Sequence, residues 1–123
     1  MDKNKKILVV EDSQDIRSIL SMRLTINGYT VITAQDGQEG LDKARDERPD
    51  LLILDLMLPK IDGYEVCRML KFEEKYKNIP IIILSALDQQ EDREKATKSG
   101  SDAYFIKPFD LDLLLTKIEN LTG

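Results

Sequence analysis

Three acidic residues follow directly on short apolar runs, and they are the side chains of this sequence best suited to chemistry. Asp55 closes the apolar run 51–54, and Glu11 and Asp12 close the apolar run 7–10. An ionised carboxylate at the end of a buried strand is costly unless its charge is used. Carboxylate oxygens are ligands of hard cations, and a carboxylate can also be a nucleophile. The pattern therefore predicts a carboxylate cluster with a cation site beside a nucleophile.

The elements that must position these acids alternate along the chain, as in a parallel α/β sheet. The predicted strands are Lys6–Val10, Thr30–Thr33, Leu51–Leu54, Ile81–Leu84 and Tyr104–Ile106. The first, third and fourth are apolar throughout and are expected at the centre of the sheet, whereas the second has polar ends and is expected at an edge. The predicted helices are Gln14–Ile26, Gln38–Arg48, Gly63–Glu73, Gln90–Lys98 and Leu111–Leu121.

Helical periodicity assigns apolar faces to the first and last helices. The face of the first helix comprises Ile16, Ile19, Leu20 and Leu24. The stripe of the last helix comprises Leu111, Leu114, Leu115, Ile118 and Leu121. We expect this stripe to pack on the sheet, with a partner-binding face as the alternative. The helix over 90–98 has Ala96 as its main apolar residue, so it is expected among the least stable elements.

Five polar residues come at or just after predicted strand ends: Glu11, Asp12, Asp55, Ser85 and Lys107. Right-handed crossovers place the loops that follow parallel strands at one edge of the sheet. Ligands of open α/β sheets bind at that edge. We therefore expect these residues to converge there.

Composition excludes several classes of protein. The 123 residues, of which 41% are hydrophobic and 33% charged, predict one globular domain over 1–123. There is no histidine, and the single cysteine, Cys67, falls at an apolar helical position where a core residue is expected. The net charge of −5 argues against nucleic-acid binding. No apolar stretch suits a membrane span or a signal peptide, so we expect a cytoplasmic protein without membrane contact.

The motifs around the polar residues resemble those of the receiver domain of bacterial two-component response regulators, such as the chemotaxis regulators. They are Val9-Val10-Glu11-Asp12-Ser13, Leu54-Asp55-Leu56-Met57-Leu58-Pro59, Asp62-Gly63, Leu84-Ser85-Ala86 and Lys107-Pro108-Phe109. The resemblance covers essentially the whole chain. It implies a doubly wound α/β fold whose five-stranded parallel sheet has the flavodoxin-like order 2-1-3-4-5, with helices on both faces.

The resemblance also implies a metal site and a phosphoacceptor. Asp55 would accept a phosphoryl group and become an aspartyl phosphate. Mg²⁺, with Mn²⁺ as a substitute, would be held by Glu11, Asp12, Asp55 and the backbone carbonyl of Met57. Asp12 would be the more direct ligand and Glu11 would act largely through water. On the residues alone, Asp12 or Ser13 could instead cap the first helix, and the two roles are compatible.

Three further residues acquire roles from the resemblance. Lys107 would contact a phosphoryl oxygen and Asp55, and its peptide bond to Pro108 would be cis. Ser85 would hydrogen-bond the phosphoryl group, and Tyr104 would be the aromatic switch residue. Taken alone, Ser85 could be a strand-end cap, Lys107 an exposed strand-end lysine and Tyr104 an ordinary strand aromatic.

The implied function is that of a phosphorylation-activated signalling switch. A sensor histidine kinase, a histidine phosphotransfer protein or a small acyl phosphate would supply the phosphoryl group, and the domain would then control an effector. At most it would catalyse its own phosphorylation and slow dephosphorylation, because Met57 and Leu87 offer no help to an attacking water. The sequence leaves two questions open. The domain could be a monomer or a phosphorylation-dependent dimer, and it could be a stand-alone receiver or part of a longer regulator.

Two other functions are compatible with an acidic cluster at the strand ends of an α/β sheet. A haloacid-dehalogenase-type phosphatase has an aspartate nucleophile and magnesium, but its second acid is replaced here by Met57. A phosphorylation-independent docking module is the second alternative, and the presence of Asp55 and Lys107 argues against it.

Overall fold

The computed structural model describes residues 4–123, so the first three residues of the predicted domain lie outside the described part. Strands and helices alternate throughout. The strands are β1 (Lys6–Val10), β2 (Thr30–Ala34), β3 (Leu51–Asp55), β4 (Ile81–Ser85) and β5 (Ala103–Ile106). The helices are α1 (Gln14–Ile26), α2 (Gly37–Glu47), α3 (Gly63–Phe72), α4 (Gln90–Lys98) and α5 (Leu111–Thr122).

The strands form one parallel sheet in the order β2-β1-β3-β4-β5. This confirms the predicted fold class and strand order, with β2 at an edge. Val10 pairs with both Ala34 and Leu54, so β1, β2 and β3 end at the same edge of the sheet. Residues that follow these strands therefore share that edge.

Strands β2, β3 and β4 each extend one residue beyond their predicted ends, and the added residue is polar in β3 and β4. Asp55 pairs with Leu84, and Ser85 pairs with Ile106. Both polar side chains are therefore carried by the sheet itself rather than by the loops beyond it. Hydrogen-bonded strands are the more rigid support for a site.

Helices cover both faces of the sheet, which explains why the central strands are apolar throughout. Helices α2, α3 and α4 contribute to one hydrophobic cluster, and α1 and α5 contribute to the other. In β1, Leu8 and Val10 belong to the first cluster, whereas Ile7 and Val9 belong to the second. The predicted stripe of α5 packs in the second cluster, as expected.

The predicted apolar face of α1 is wrong at Ile19, which is 50% exposed. Leu20 and Leu24 are buried, with Ile16 packed against the same cluster. These residues are four apart and lie in one row along the helix, and Ile19 is rotated about 100° from Leu20. Ile19 therefore lies beside the buried row rather than in it.

Cys67 is buried in α3, as its apolar position predicted, and its sulphur donates a hydrogen bond to the carbonyl of Ser99 at 3.3 Å. Burial raises the pKa of this thiol to about 12. Within residues 4–123, no helix is long and apolar enough to cross a membrane.

Candidate functional site

The three predicted acids converge where β1 and β3 end. Carboxylate oxygens of Glu11, Asp12 and Asp55 lie within 4.8 Å of one another. Glu11 and Asp55 are 2% and 5% exposed, whereas Asp12 is exposed. An all-oxygen, anionic donor set suits a hard cation such as Mg²⁺, and the open side at Asp12 would let the ion keep several waters. The residues present therefore fit the expected metal.

Lys107 lies between the two buried acids. Its ammonium donates hydrogen bonds to Glu11 Oε1 at 2.8 Å and to Asp55 Oδ2 at 3.1 Å. Its side chain is only 18% exposed, so it is not a solvated lysine at a strand end. The contact with Asp55 agrees with the prediction, whereas the shorter contact with Glu11 was not predicted. The peptide bond from Lys107 to Pro108 is cis.

The pKa values of Glu11 and Lys107 are both raised, but for different reasons. Burial raises the pKa of Glu11, the Asp55 carboxylate raises it further, and hydrogen bonds from Lys107 and Ser13 oppose the shift. Burial alone would lower the pKa of Lys107, but its bonds to Glu11 and Asp55 outweigh this and raise the pKa. Lys107 is therefore a permanent cation at neutral pH.

The chain turns sharply after Asp55, and the carboxylate takes part in that turn. Asp55 Oδ1 accepts a hydrogen bond from the Met57 amide at 3.2 Å, while the Met57 side chain points out and is 59% exposed. Gly63 packs beneath the same turn. Its amide donates to the carbonyl of Leu56 at 2.9 Å, and a Cβ there would lie 2.2 Å from the Asp55 carbonyl oxygen. Only glycine fits this approach, which explains the Asp62-Gly63 motif that sequence reasoning left without a role.

The loop between β1 and α1 holds the other two acids. Glu11 Oε2 accepts from the Ser13 amide at 3.0 Å, and Ser13, not Asp12, is the helix cap, accepting from the Ile16 amide at 3.4 Å. Arg17 reaches back from α1 and donates through Nη1 to the carbonyls of Glu11 at 2.8 Å and Asp12 at 3.2 Å. Sequence reasoning missed Arg17. The only sequence signal for a role of Arg17 at the site is its position in the first turn of α1, the helix that follows the two acids.

Ser85 and Tyr104 meet at the loop after β4. Ser85 is fully buried, and its Oγ accepts from the Leu87 amide at 3.1 Å, so it does cap the end of the strand. The Tyr104 hydroxyl donates to the Leu87 carbonyl at 2.7 Å. Burial raises the pKa of Tyr104, and the Arg93 guanidinium lies 5.2 Å from its ring centre. Tyr104 thus joins β5 to the β4–α4 loop and to α4.

This architecture and motif set match a known family. The model of the response regulator receiver domain matches residues 7–119, which is nearly the whole chain. The chain belongs to the response regulator receiver domain family. The match confirms the family expected from the motifs, and it is the family expected for a phosphorylation-activated switch of two-component signalling.

Curated relatives of this receiver domain include transcriptional regulators. The chain is 48% identical over 106 residues to the alkaline phosphatase synthesis transcriptional regulatory protein PhoP of Bacillus subtilis. The aligned segment covers 86% of the chain and 43% of that protein. The chain is 40% identical over 116 residues to the DNA-binding dual master transcriptional regulator RpaA of Synechocystis, and this alignment covers 94% of the chain and 48% of that protein. The chain thus spans about half the length of the curated relatives it matches.

Solved receiver domains superimpose over almost the full chain. The receiver domain of the Francisella response regulator 1452 has a TM-score of 0.90 and 35% identity, with 97% of each chain covered. The receiver domain of the Pseudomonas aeruginosa sensor histidine kinase PA1611 has a TM-score of 0.90 and 32% identity, with 98% of each chain covered. The latter was solved with a magnesium ion coordinated in its active-site cleft. Receiver domains generally bind Mg²⁺, and response regulators interact with histidine kinases.

Proposed function

We propose that Asp55 is the phosphoacceptor of this receiver domain and that Mg²⁺ binds beside it. The observation that carries the proposal is the grouping of the Asp55 carboxylate with those of Glu11 and Asp12 within 4.8 Å, with Lys107 in contact. The metal would be held by Glu11, Asp12, Asp55 and the Met57 carbonyl, and Mn²⁺ would substitute for it. The magnesium ion in the similar Pseudomonas receiver domain supports this assignment.

The reaction is a transfer of one phosphoryl group to a carboxylate oxygen. A phosphorus–oxygen bond to Asp55 forms as the phosphorus–nitrogen bond of a phosphohistidine donor, or the phosphorus–oxygen bond of an acyl phosphate, breaks. A bound Mg²⁺ would neutralise charge on the transferring group. Lys107, held 3.1 Å from Asp55 Oδ2, supplies a second positive charge to the phosphoryl oxygens.

The signal would leave the site through Ser85 and Tyr104. A phosphoryl group adds about −1.5 to −2 charge and three acceptor oxygens. A phosphoryl oxygen that bonds the Ser85 hydroxyl would reorient it and weaken its bond from the Leu87 amide. The Tyr104 hydroxyl donates to the carbonyl of the same Leu87, so a movement of this loop would break that hydrogen bond and free the Tyr104 ring. Ser85 and Tyr104 are therefore the proposed switch residues.

The partners follow from the same chemistry. A sensor histidine kinase or a histidine phosphotransfer protein would donate the phosphoryl group, and residues 1–123 would form one receiver domain that controls an effector. The relatives suggest an effector in transcription, but with a net charge of −5 the receiver itself would not contact nucleic acid. The domain would act as a monomer or as a phosphorylation-dependent dimer.

The test is phosphorylation by acetyl phosphate, with and without Mg²⁺, measured by intact mass. The wild type should gain one phosphoryl group only with Mg²⁺, and Asp55→Asn should gain none. Asp46→Asn, an exposed position on α2, is the matched control and should behave as the wild type. Equal modification of the Asp55→Asn variant, or modification that is independent of the metal, would contradict the proposal.

A further inference from the structure

We propose that Arg17 is a positioning residue of the magnesium site, which it serves by fixing the backbone that carries the Asp12 carboxylate. The inference rests on the proposed function, since it assigns a role at the same site. Arg17 lies in the first turns of α1 and touches the acids through their backbone, not through their carboxylates.

The backbone of the two acids lies between two regular elements. β1 ends at Val10 and α1 begins at Gln14. The Glu11 amide is tied to the Ala34 carbonyl at 3.0 Å, but the carbonyls of Glu11 and Asp12 receive their hydrogen bonds from Arg17 Nη1, at 2.8 and 3.2 Å. A guanidinium is a planar group whose hydrogen bonds to two oxygens restrict both. Arg17 therefore restrains two successive peptide units.

The two acids differ in how their carboxylates are held. The Glu11 carboxylate is buried and bonded to the Ser13 amide and to Lys107. The Asp12 side chain is exposed, and the backbone carbonyl of the same residue accepts a hydrogen bond from Arg17. When an exposed ligand binds a metal, its side chain and its backbone both lose freedom. Arg17 already restrains the backbone, so it lowers the backbone share of that loss and should tighten metal binding.

The charge of Arg17 has the opposite effect. A guanidinium near the cluster repels an incoming cation, so removal of the charge alone would strengthen Mg²⁺ binding. Restraint and charge therefore predict opposite signs for the change in affinity. The sign of the change decides which effect dominates.

The experiment is a calorimetric titration of the full chain with Mg²⁺, at a temperature where every variant is folded. The variants are Arg17→Ala, Arg17→Gln and, as a matched control at the other end of α1, Arg23→Ala. The Arg23 guanidinium forms an exposed 3.7 Å ion pair with Asp112, away from the acids. Loss of a residue that supports metal ligands typically weakens binding about 10-fold or more, and this is the loss expected for Arg17→Ala. Arg17→Gln, which is neutral but keeps a donor, should weaken binding less, and Arg23→Ala should match the wild type.

Each other outcome has a separate meaning. Tighter or unchanged Mg²⁺ binding in both Arg17 variants would overturn the proposal. A lower melting temperature without a change in affinity would also overturn it, since Arg17 would then serve the fold alone. A wild type that binds no Mg²⁺ would instead contradict the proposed function. At saturating Mg²⁺, phosphorylation of Arg17→Ala should approach the wild-type rate, because Arg17 acts through the metal site.

Discussion

The positive charge of Lys107 offsets the repulsion between the buried carboxylates of Glu11 and Asp55, and removal of this charge should destabilise the fold. Its ammonium lies 2.8 Å from Glu11 and 3.1 Å from Asp55, and both carboxylates are buried. The substitution Lys107→Met keeps an unbranched apolar stem and removes the charge. Without a metal ion, the two carboxylates would then have no cation between them.

The separation of the carboxylates gives the size of the repulsion that Lys107 offsets. Their closest ligand oxygens lie within 4.8 Å, at which two unit charges repel by about 3.5 kcal/mol for an effective dielectric near 20. Loss of one partner of a buried ion pair costs about 3–5 kcal/mol in other proteins, which agrees. We expect Lys107→Met to lower the free energy of unfolding by about 3 kcal/mol at neutral pH, or the melting temperature by about 10 °C.

The loss should depend on pH. Burial raises the pKa of Glu11 above its ordinary value, so the folded protein binds this proton more tightly than the unfolded chain does. The stability that comes with protonated Glu11 is therefore present at low pH and is lost as pH rises through the raised pKa. In Lys107→Met the hydrogen bond that opposes this shift is gone. The destabilisation should be smaller at pH ~5 than at pH ~8.

The assay is urea unfolding of the wild type and variant in EDTA and in millimolar Mg²⁺. The wild type should gain stability from Mg²⁺, and Lys107→Met should gain more, because Mg²⁺ no longer competes with the ammonium for the same oxygens. Lys77→Met removes an exposed lysine whose ammonium pairs with Glu74 in the turn that follows α3, and it should change stability little. If Lys107→Met in EDTA near pH ~8 loses no more stability than Lys77→Met, the reasoning is refuted. Weaker Mg²⁺ binding in the variant would refute it as well.

Two further predictions concern the supports of the site. Gly63→Ala should lower the free energy of unfolding by more than about 2 kcal/mol in urea titrations, because its Cβ would lie 2.2 Å from the Asp55 carbonyl oxygen; an unchanged midpoint would contradict this. Helix α4 has Ala96 as its one buried residue and should exchange its amide hydrogens faster than α1. Tyr64→Leu should accelerate the exchange of α4 further, because the Tyr64 hydroxyl donates to the Asp92 carbonyl at 3.3 Å and the Lys95 ammonium lies 4.3 Å from the Tyr64 ring centre. Stronger protection of Gln90–Lys98 than of any other helix would contradict it.

The aromatic contacts of α4 also refine what the sequence indicated about this helix. Its polar composition predicted few anchors, and only Ala96 is buried. The structure adds that Lys95 and Arg93 lie over the rings of Tyr64 and Tyr104. A cation–aromatic contact at an exposed site contributes about 0.5–1 kcal/mol. Such contacts can hold α4 in one position and still release it for a small cost.

The sequence by itself determined the elements of this protein and the edge at which its polar residues gather. Apolar runs and helical periodicity depend on near neighbours, and the sequence placed β1, α1 and α4 at their observed bounds and the ends of the other elements to within one residue. The strand order, by contrast, came from family resemblance. The convergence of Glu11, Asp55 and Lys107 followed from their positions at parallel strand ends.

Only the tertiary structure decided which of these groups touch. Lys107 and Glu11 are 96 residues apart, and no local pattern encodes their 2.8 Å contact. The turn of Arg17 back toward the acids and the exposure of Ile19 depend on how α1 is rotated on the sheet. Helix rotation and side-chain direction are set by packing of the whole core, which is a collective property of distant residues. For that reason the sequence could predict a carboxylate cluster, whereas the contact of Lys107 with Glu11 and the support by Arg17 could be seen only in the folded chain.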